Sequence, residues 1–255
     1  MNLKQIVFSP TGGTQKVIDI MTTAWCETVS KIDLTDAESE FSSFDMGEDD
    51  FALIAVPSYG GRVPKTASER IAKIRGNGAR CAIVCVYGNR AYEDTLAELQ
   101  DVAEKSNFKV IAAVSAIAEH SIMHQYATGR PDQQDRQELC DYAEKIFEKW
   151  KENVTTDVSL KIPGNRPYKK AGGSGLVPKA DKSCTNCGLC AEKCPTGAIC
   201  KENPKMTDSK KCISCMRCVS ICPQSARKVN EAKVSIVALA MKKACVDRKD
   251  NELYI

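Results

Sequence analysis

Two cysteine runs near the carboxyl end constrain this chain more than any other feature. From residue 184 the sequence reads CTNCGLCAEKCPTGAI, and from residue 212 it reads CISCMRCVSICPQSAR. Each is C-x2-C-x2-C-x3-C-P and the second follows the first by 28 residues, so the segment is an internal duplication. The chain has 14 cysteines, ten of them in its last third, and its opening MNLKQIVF has no signal-peptide pattern. That usage points to metal or redox chemistry rather than disulfides. Thiolates are soft ligands suited to iron–sulfur clusters, and a tight loop carrying three of them can wrap three corners of a cubane. Backbone N–H groups in such turns point inward at the sulfurs. Pro195 and Pro223 turn the chain away after each fourth cysteine and offer no spare donor. Zinc is the competing reading, but structural zinc sites use two CxxC pairs rather than two fourfold runs closed by proline.

Over residues 180–230 the pattern resembles the bacterial two-[4Fe–4S] ferredoxins. There the fourth cysteine of each run ligates the other cluster. The resemblance implies one cluster on Cys184, Cys187, Cys190 and Cys222, and a second on Cys212, Cys215, Cys218 and Cys194. The second loop carries Arg217 and follows Lys210 and Lys211. Positive charge favours a reduced cluster, so the Arg217 side is expected to have the higher potential. Cys200 and Cys245 lie nearby, but all eight ligand places are filled without them.

The first 165 residues alternate strand and helix in the α/β manner. Apolar strand-like runs lie at 4–8, 29–34, 51–56, 79–87 and 108–117, with helical patterns at 14–26, 65–75, 92–105 and 132–151. Near-continuous apolar runs predict a doubly wound five-stranded parallel sheet covered on both faces, whose ligands bind beyond the carboxyl ends of the strands. Cys81 and Cys85, four apart in a strand, share one face and point into the core; Cys26 and Cys140 fall in helical patterns.

Three strand-end loops stand out. FSPTGGTQK (8–16) joins the first strand to the first helix, where free N–H groups and the helix dipole attract a phosphate. Ser9, Thr11 and Thr14 offer hydroxyls, and Gly12 and Gly13 allow close approach. The loop is neither a Walker A motif nor GxGxxG, and SPTGGT, which has no lysine, must neutralise a dianion by neutral donors. PSYGGRVP (57–64) brings Ser58, Tyr59, Gly60 and Gly61; YGNRAYED (87–94) brings Tyr87, Gly88, Asn89 and Tyr92. SPTGGT resembles the phosphate loop of flavodoxins. That resemblance implies FMN as ligand, its ring held by the other two loops. His120 and His124 follow the fifth strand, and Arg62, Arg90 and Arg130 fall in loops at the same edge.

With YGGRVP, YGNRAYED, EHS, GRPD and PGNRPY, the chain as a whole resembles the EFR1-type flavodoxin–ferredoxin fusion family. This implies FMN and two [4Fe–4S] clusters in one electron-transfer protein, typical of anaerobes, with a redox protein as partner. The expected organisation is a flavodoxin-like domain over 1–154 and a linker over 155–180 within which PGNRPY forms a defined turn. A small α+β ferredoxin domain follows over 181–230, then a helix and tail over 231–255. Net charge is −7 over 1–165 and +10 over 166–255, so the two lobes attract each other or the basic one recruits an acidic partner. The cysteine spacing argues against nucleic acid as the basic lobe's target. The longest apolar run, VSIVALAM (234–241), is too short to span a bilayer, so a cytoplasmic protein without membrane insertion is expected. Three functions compete. The first is an electron carrier. The second is a flavin-dependent reductase fed through the clusters, with His120 or Tyr92 supplying protons. The third is a ferredoxin whose flavodoxin-like domain is an empty docking platform.

Overall fold

The computed structural model describes residues 2–25, 27–152 and 160–255. Strands β1 (Leu3–Val7), β2 (Val29–Asp33), β3 (Phe51–Pro57), β4 (Arg80–Tyr87) and β5 (Lys109–Ile117) alternate with helices α1 (Gly13–Thr23), α2 (Lys65–Ile71), α3 (Thr95–Lys105) and α4 (Gln133–Lys151). The strands pair in parallel in the order β2-β1-β3-β4-β5. That is the flavodoxin-like order, with its switch point between β1 and β3. β3 and β4 are buried along nearly their whole length, whereas β2 is a half-exposed edge. Alternation sorts the two core layers: Ile6, Ile54 and Ile83 face α2 and α3, while Val7, Leu53 and Val84 face α1 and α4. Cys81 and Cys85 lie buried in the first layer, as their spacing predicts. The reading of Cys26 as helical and the boundary at 154/155 fall outside the described residues.

From residue 160 onward the Gly/Pro/Lys-rich segment is pinned to α3. Leu160 and Ile162 pack on the core. Asp94, which begins α3, accepts hydrogen bonds from the Asn165 backbone (2.8 Å), the Asn165 amide (2.9 Å) and the Lys169 backbone (2.7 Å). Arg166 and Tyr168 both bond Asp101.

The cysteine-rich segment is held by two short antiparallel strands, β6 (Lys179–Ala180) and β7 (Arg227–Lys228), around single-turn helices α5 (Leu189–Glu192) and α6 (Arg217–Ser220). Helix α7 (Glu231–Cys245) then returns over the loop after β5, where Ala238 and Cys245 pack with Met123, Tyr126 and Leu176. The chain ends in a strand that the sequence did not announce. β8 (Glu252–Tyr254) adds antiparallel to β5, making a sixth strand and covering an edge. Asn251 anchors this turn through its side chain: Oδ1 accepts from Ile117 N–H (2.9 Å), and Nδ2 donates to Asp135 (3.0 Å) and Glu138 (2.7 Å).

Asp132 and Asp135 form a reciprocal capping box at the start of α4. Buried Arg130 bonds Asp135 (Nε–Oδ2 2.8 Å), and Arg248 of the tail bonds Asp132 at 2.6 Å. Burial alone would raise the Asp135 carboxyl. The hydrogen bonds from Arg130, the Asp132 backbone and Asn251 outweigh it and hold the group low. Arg248 is the largest influence lowering Asp132. Groups depressed in the folded state stabilise fully above the ordinary carboxylate pKa, about 3.9, and lose that contribution as pH falls. The urea midpoint is therefore expected to drop below about pH 4, and to drop less in Arg248→Ala. Asp135→Ala, which leaves Arg130 buried without its partner, is expected to cost about 3–5 kcal/mol in urea unfolding at neutral pH.

Candidate functional site

A cavity of about 340 Å³ opens at the switch point, where the loops after β1, β3, β4 and β5 converge. The sequence-predicted residues that line it are Ser9, Thr11, Gly13, Thr14, Ser58, Tyr59, Gly60, Tyr87 and Gly88. Ser9 secures the first loop: its N–H donates to Thr35 Oγ1 (2.8 Å) and its Oγ accepts from Gln15 N–H (2.9 Å). Gly12 takes a left-handed conformation (φ 89°) just before α1, bending the loop into the helix. The N–H groups of Thr11, Gly12, Gly13 and Thr14 have no hydrogen-bond partner among the described residues, so the loop presents a cradle of free donors. An anion is what such a cradle fits.

Tyr59 and Arg62 close a tight turn by reciprocal backbone bonds, with Gly60 (φ 62°) and Gly61 (φ 82°) both left-handed between them. Gly60 is approached by the Gly172 carbonyl, 3.0 Å from where its Cβ would stand. Over Gly88 lies the His120 ring, 2.7 Å from the corresponding position. His120 Nδ1 accepts from the backbone N–H of Ile122 and Met123, each at 3.2 Å, so the ring proton sits on Nε2. Burial lowers its pKa and keeps it neutral.

Four residues placed in this site by the sequence do not line the cavity. Gly12 shapes the loop behind it. Gly61 is packed against Glu93, whose carboxylate a Cβ would overlap. Asn89 is buried, and its amide holds the end of α7 through the carbonyls of Cys245 (2.7 Å) and Asp247 (2.8 Å). Tyr92 turns to the sheet edge, where its hydroxyl meets Tyr254 (2.9 Å) and Glu252 (2.8 Å). Of the three arginines, only Arg90 reaches the wall. Arg62 pairs with Glu98 at 2.7 Å and lies over the Tyr168 ring, and Arg130 pairs with Asp135 and donates to the Lys249 carbonyl of the tail at 2.7 Å. Exposed His124 pairs with Glu119 at 2.7 Å.

The sequence reading missed part of the wall. Gly172, Gly173 and Ser174 line the cavity although GGSG has linker composition, and Val237 and Met241 of α7 arrive from the far end of the chain. Ile213 and Ser214, which lie between two cysteines of the second run, also reach it. No local signal marks these residues; only the return of the chain brings them there.

The eight cysteines gather around two small cavities. Cys184, Cys187, Cys190 and Cys222 line one, and Cys212, Cys215, Cys218 and Cys194 line the other. The duplication shows in the backbone: left-handed residues recur at Asn186 and Ser214, Gly188 and Met216, and Gly197 and Ser225. Four of these six are not glycine, a conformation that costs roughly 1–2 kcal/mol each and that the wrapped loops impose. Likewise Ala198 N–H donates to Cys194 Sγ and Ala226 N–H to Cys222 Sγ, both at 3.3 Å. Burial pushes the free thiols of Cys215 up to about 11 and Cys218 up to about 12. A cationic centre is what would make them thiolates at neutral pH. Each cavity also has an arginine in its wall, Arg227 in the first and Arg217 in the second. The Nε of each is buried without a hydrogen-bond partner among the described residues. Four thiols in one wall and an orphaned cationic donor suit an anionic iron–sulfur cluster in each cavity.

The fold and these cavities define a protein in two parts, a flavodoxin-like α/β domain and a 4Fe-4S ferredoxin-like domain. Residues 168–227 match the family described as 4Fe-4S dicluster domain. No curated protein matches the chain. Among solved structures, the rubredoxin oxygen:oxidoreductase of the anaerobe Desulfovibrio gigas is similar at 13% identity and TM-score 0.46, over 61% of this chain and 37% of that one. A flavodoxin of Streptococcus pneumoniae TIGR4 is similar at 21% identity and TM-score 0.42, over 58% and 99%. The flavodoxin of Fusobacterium nucleatum bound to flavin mononucleotide gives 15% and 0.41, over 58% and 99%. The fold assignment rests on the strand order itself. No helix among the described residues is long and apolar enough to cross a membrane.

The two glycine turns respond differently to a side chain. Gly61→Ala meets both the left-handed backbone and Glu93, whereas Gly12→Ala has open space around it. Both pay for backbone strain of order 1–3 kcal/mol, and Gly61→Ala is expected to lower the thermal midpoint further than Gly12→Ala.

Proposed function

We propose that this is a soluble electron-transfer flavo-iron-sulfur protein that holds FMN at the switch-point cavity and one [4Fe–4S] cluster in each cysteine cavity. The observation that carries it is the junction of the two sites: Ile213, inside the second cysteine run, lines both the switch-point cavity and the second cysteine cavity. Two redox sites that share a wall residue are built to exchange electrons.

In this reading the free N–H groups of residues 11–14 and the hydroxyls of Ser9, Thr11 and Thr14 bind the FMN phosphate. Tyr59 and Tyr87 border the ring, and His120 lies over Gly88 at the polar end. Cys184, Cys187, Cys190 and Cys222 ligate one cluster; Cys212, Cys215, Cys218 and Cys194 ligate the other. FMN takes electrons singly or in pairs, while each cluster takes one at a time. The chain's own contribution is to fix the order of the sites, to bury their walls and to supply Arg217 and Arg227 as cationic donors. A cytoplasmic setting, an external redox protein as partner and membership of the EFR1-type fusion family belong to the same proposal. A second reading, a flavin-dependent reductase, is favoured by one feature: neutral His120 in the wall, with its proton on Nε2. Tyr92 has no part in it, since its hydroxyl is engaged at the sheet edge.

Protein purified without oxygen is expected to contain about eight iron, eight sulfide and one FMN per chain. Eight iron with no flavin, even after FMN is added, would overturn the flavin half and leave a ferredoxin with a docking platform. One or two zinc ions in place of iron would overturn the cluster half.

A further inference from the structure

The two cysteine cavities are not equivalent in their surroundings. The first is walled wholly by residues 184–227, and Cys187 at its rim is exposed. Among the described residues, none of the α/β domain lines it. The second lies against that domain at three points. Ile213 is common to its wall and to that of the switch-point cavity, and it packs against the core layer that faces α2 and α3. Arg217, in its wall, donates from Nη1 to the Pro10 carbonyl of the first loop at 3.2 Å. Arg70 of α2 donates to the Pro195 carbonyl at 2.7 Å, just after Cys194. Tyr59 lines the switch-point cavity together with Ile213 and Ser214 of the second cysteine run. Between the two cysteine cavities, Cys190 of the first set shares an apolar cluster with Cys194 and Cys218 of the second.

We infer that the redox sites stand in a line, with the second cysteine set as the relay beside the flavin site and the first set as the outer terminal. Electrons then enter or leave at the exposed Cys187 rim and reach the flavin site only through the second set. The inference rests on the functional reading above, since it takes the switch-point cavity to be the flavin site. It adds which of two near-identical cysteine sets serves which side, an asymmetry that the repeated sequence does not reveal.

The relay position is read by electron paramagnetic resonance of the whole protein, loaded with FMN and clusters and partly reduced. A reduced cluster beside the flavin radical shortens its relaxation. The fast relaxation is expected in the unaltered protein and in Cys187→Ser, and is expected to be lost in Cys215→Ser. A soluble dysprosium chelate added to the same samples should broaden the signal of the first set more than that of the second. Arg217→Gln, which leaves all eight thiols in place, provides an independent reading if a cysteine variant fails to assemble. It is expected to change the signal of the cluster that couples to the flavin radical. Fast relaxation that survives Cys215→Ser and disappears in Cys187→Ser would overturn the order, as would an Arg217→Gln change confined to the uncoupled cluster. Absence of coupling in a protein that holds all three groups would overturn the line. A protein that takes up clusters but no flavin fails at the composition stage, and that result counts against the functional reading itself.

Discussion

The segment between β6 and β7 is organised around presenting eight thiols to two centres. The segment that does so has almost no apolar core of its own: Cys190, Ala191 and Ile199 are its buried cluster, joined by Cys194 and Cys218. A piece that small cannot offset its own conformational entropy by burial. It is stabilised instead by what it binds and by what it leans on. Ile213 sits on the flavodoxin-like core, Arg217 and Arg70 tie backbone carbonyls across the junction, and α7 carries the chain back to the sheet edge. Docking and cluster binding are thus one structural problem, and its solution puts the second cysteine set next to the switch point.

The opposite net charges of the two halves enter this docking only in part. Lys201 and Glu38 stand 3.9 Å apart on the surface, a separation at which an exposed pair contributes little. The closer contacts are guanidinium to carbonyl, from Arg70 on the acidic side and from Arg217 on the basic side. These are directional, so they set register where a diffuse charge difference sets only attraction. Arg217 also revises what the first loop alone implied. SPTGGT has no lysine, yet a cation does arrive beside it, contributed by the other lobe.

What the sequence made legible follows from what is local. Strand and helix periods placed five strands and four helices within a few residues, because continuous apolar runs report burial on both faces. The cysteine spacing marked two loops that each carry three thiols, since loop wrapping is fixed by neighbours in sequence; the exchange of the fourth cysteine between the runs was what the ferredoxin resemblance implied. Positions set by the return of the chain were not legible. Asn89 reads as a polar loop residue at a ligand site, and it becomes an anchor only because α7 ends against it. Tyr92 likewise turns from the cavity because Tyr254 waits at the edge. β8 is three residues of an unremarkable tail whose pairing depends on Asn251 satisfying Ile117. GGSG has the composition of a flexible spacer, yet Gly172 is held against Gly60 as part of a wall.

The central claim is that three redox groups share one chain, and the most direct test counts the electrons it holds. Anaerobic titration with a calibrated low-potential reductant, followed in the visible spectrum, should consume about four electrons per chain, two for a flavin and one for each cluster. An end point near two, with bleaching confined to the iron–sulfur bands, would contradict the account and leave the switch-point cavity without a redox role.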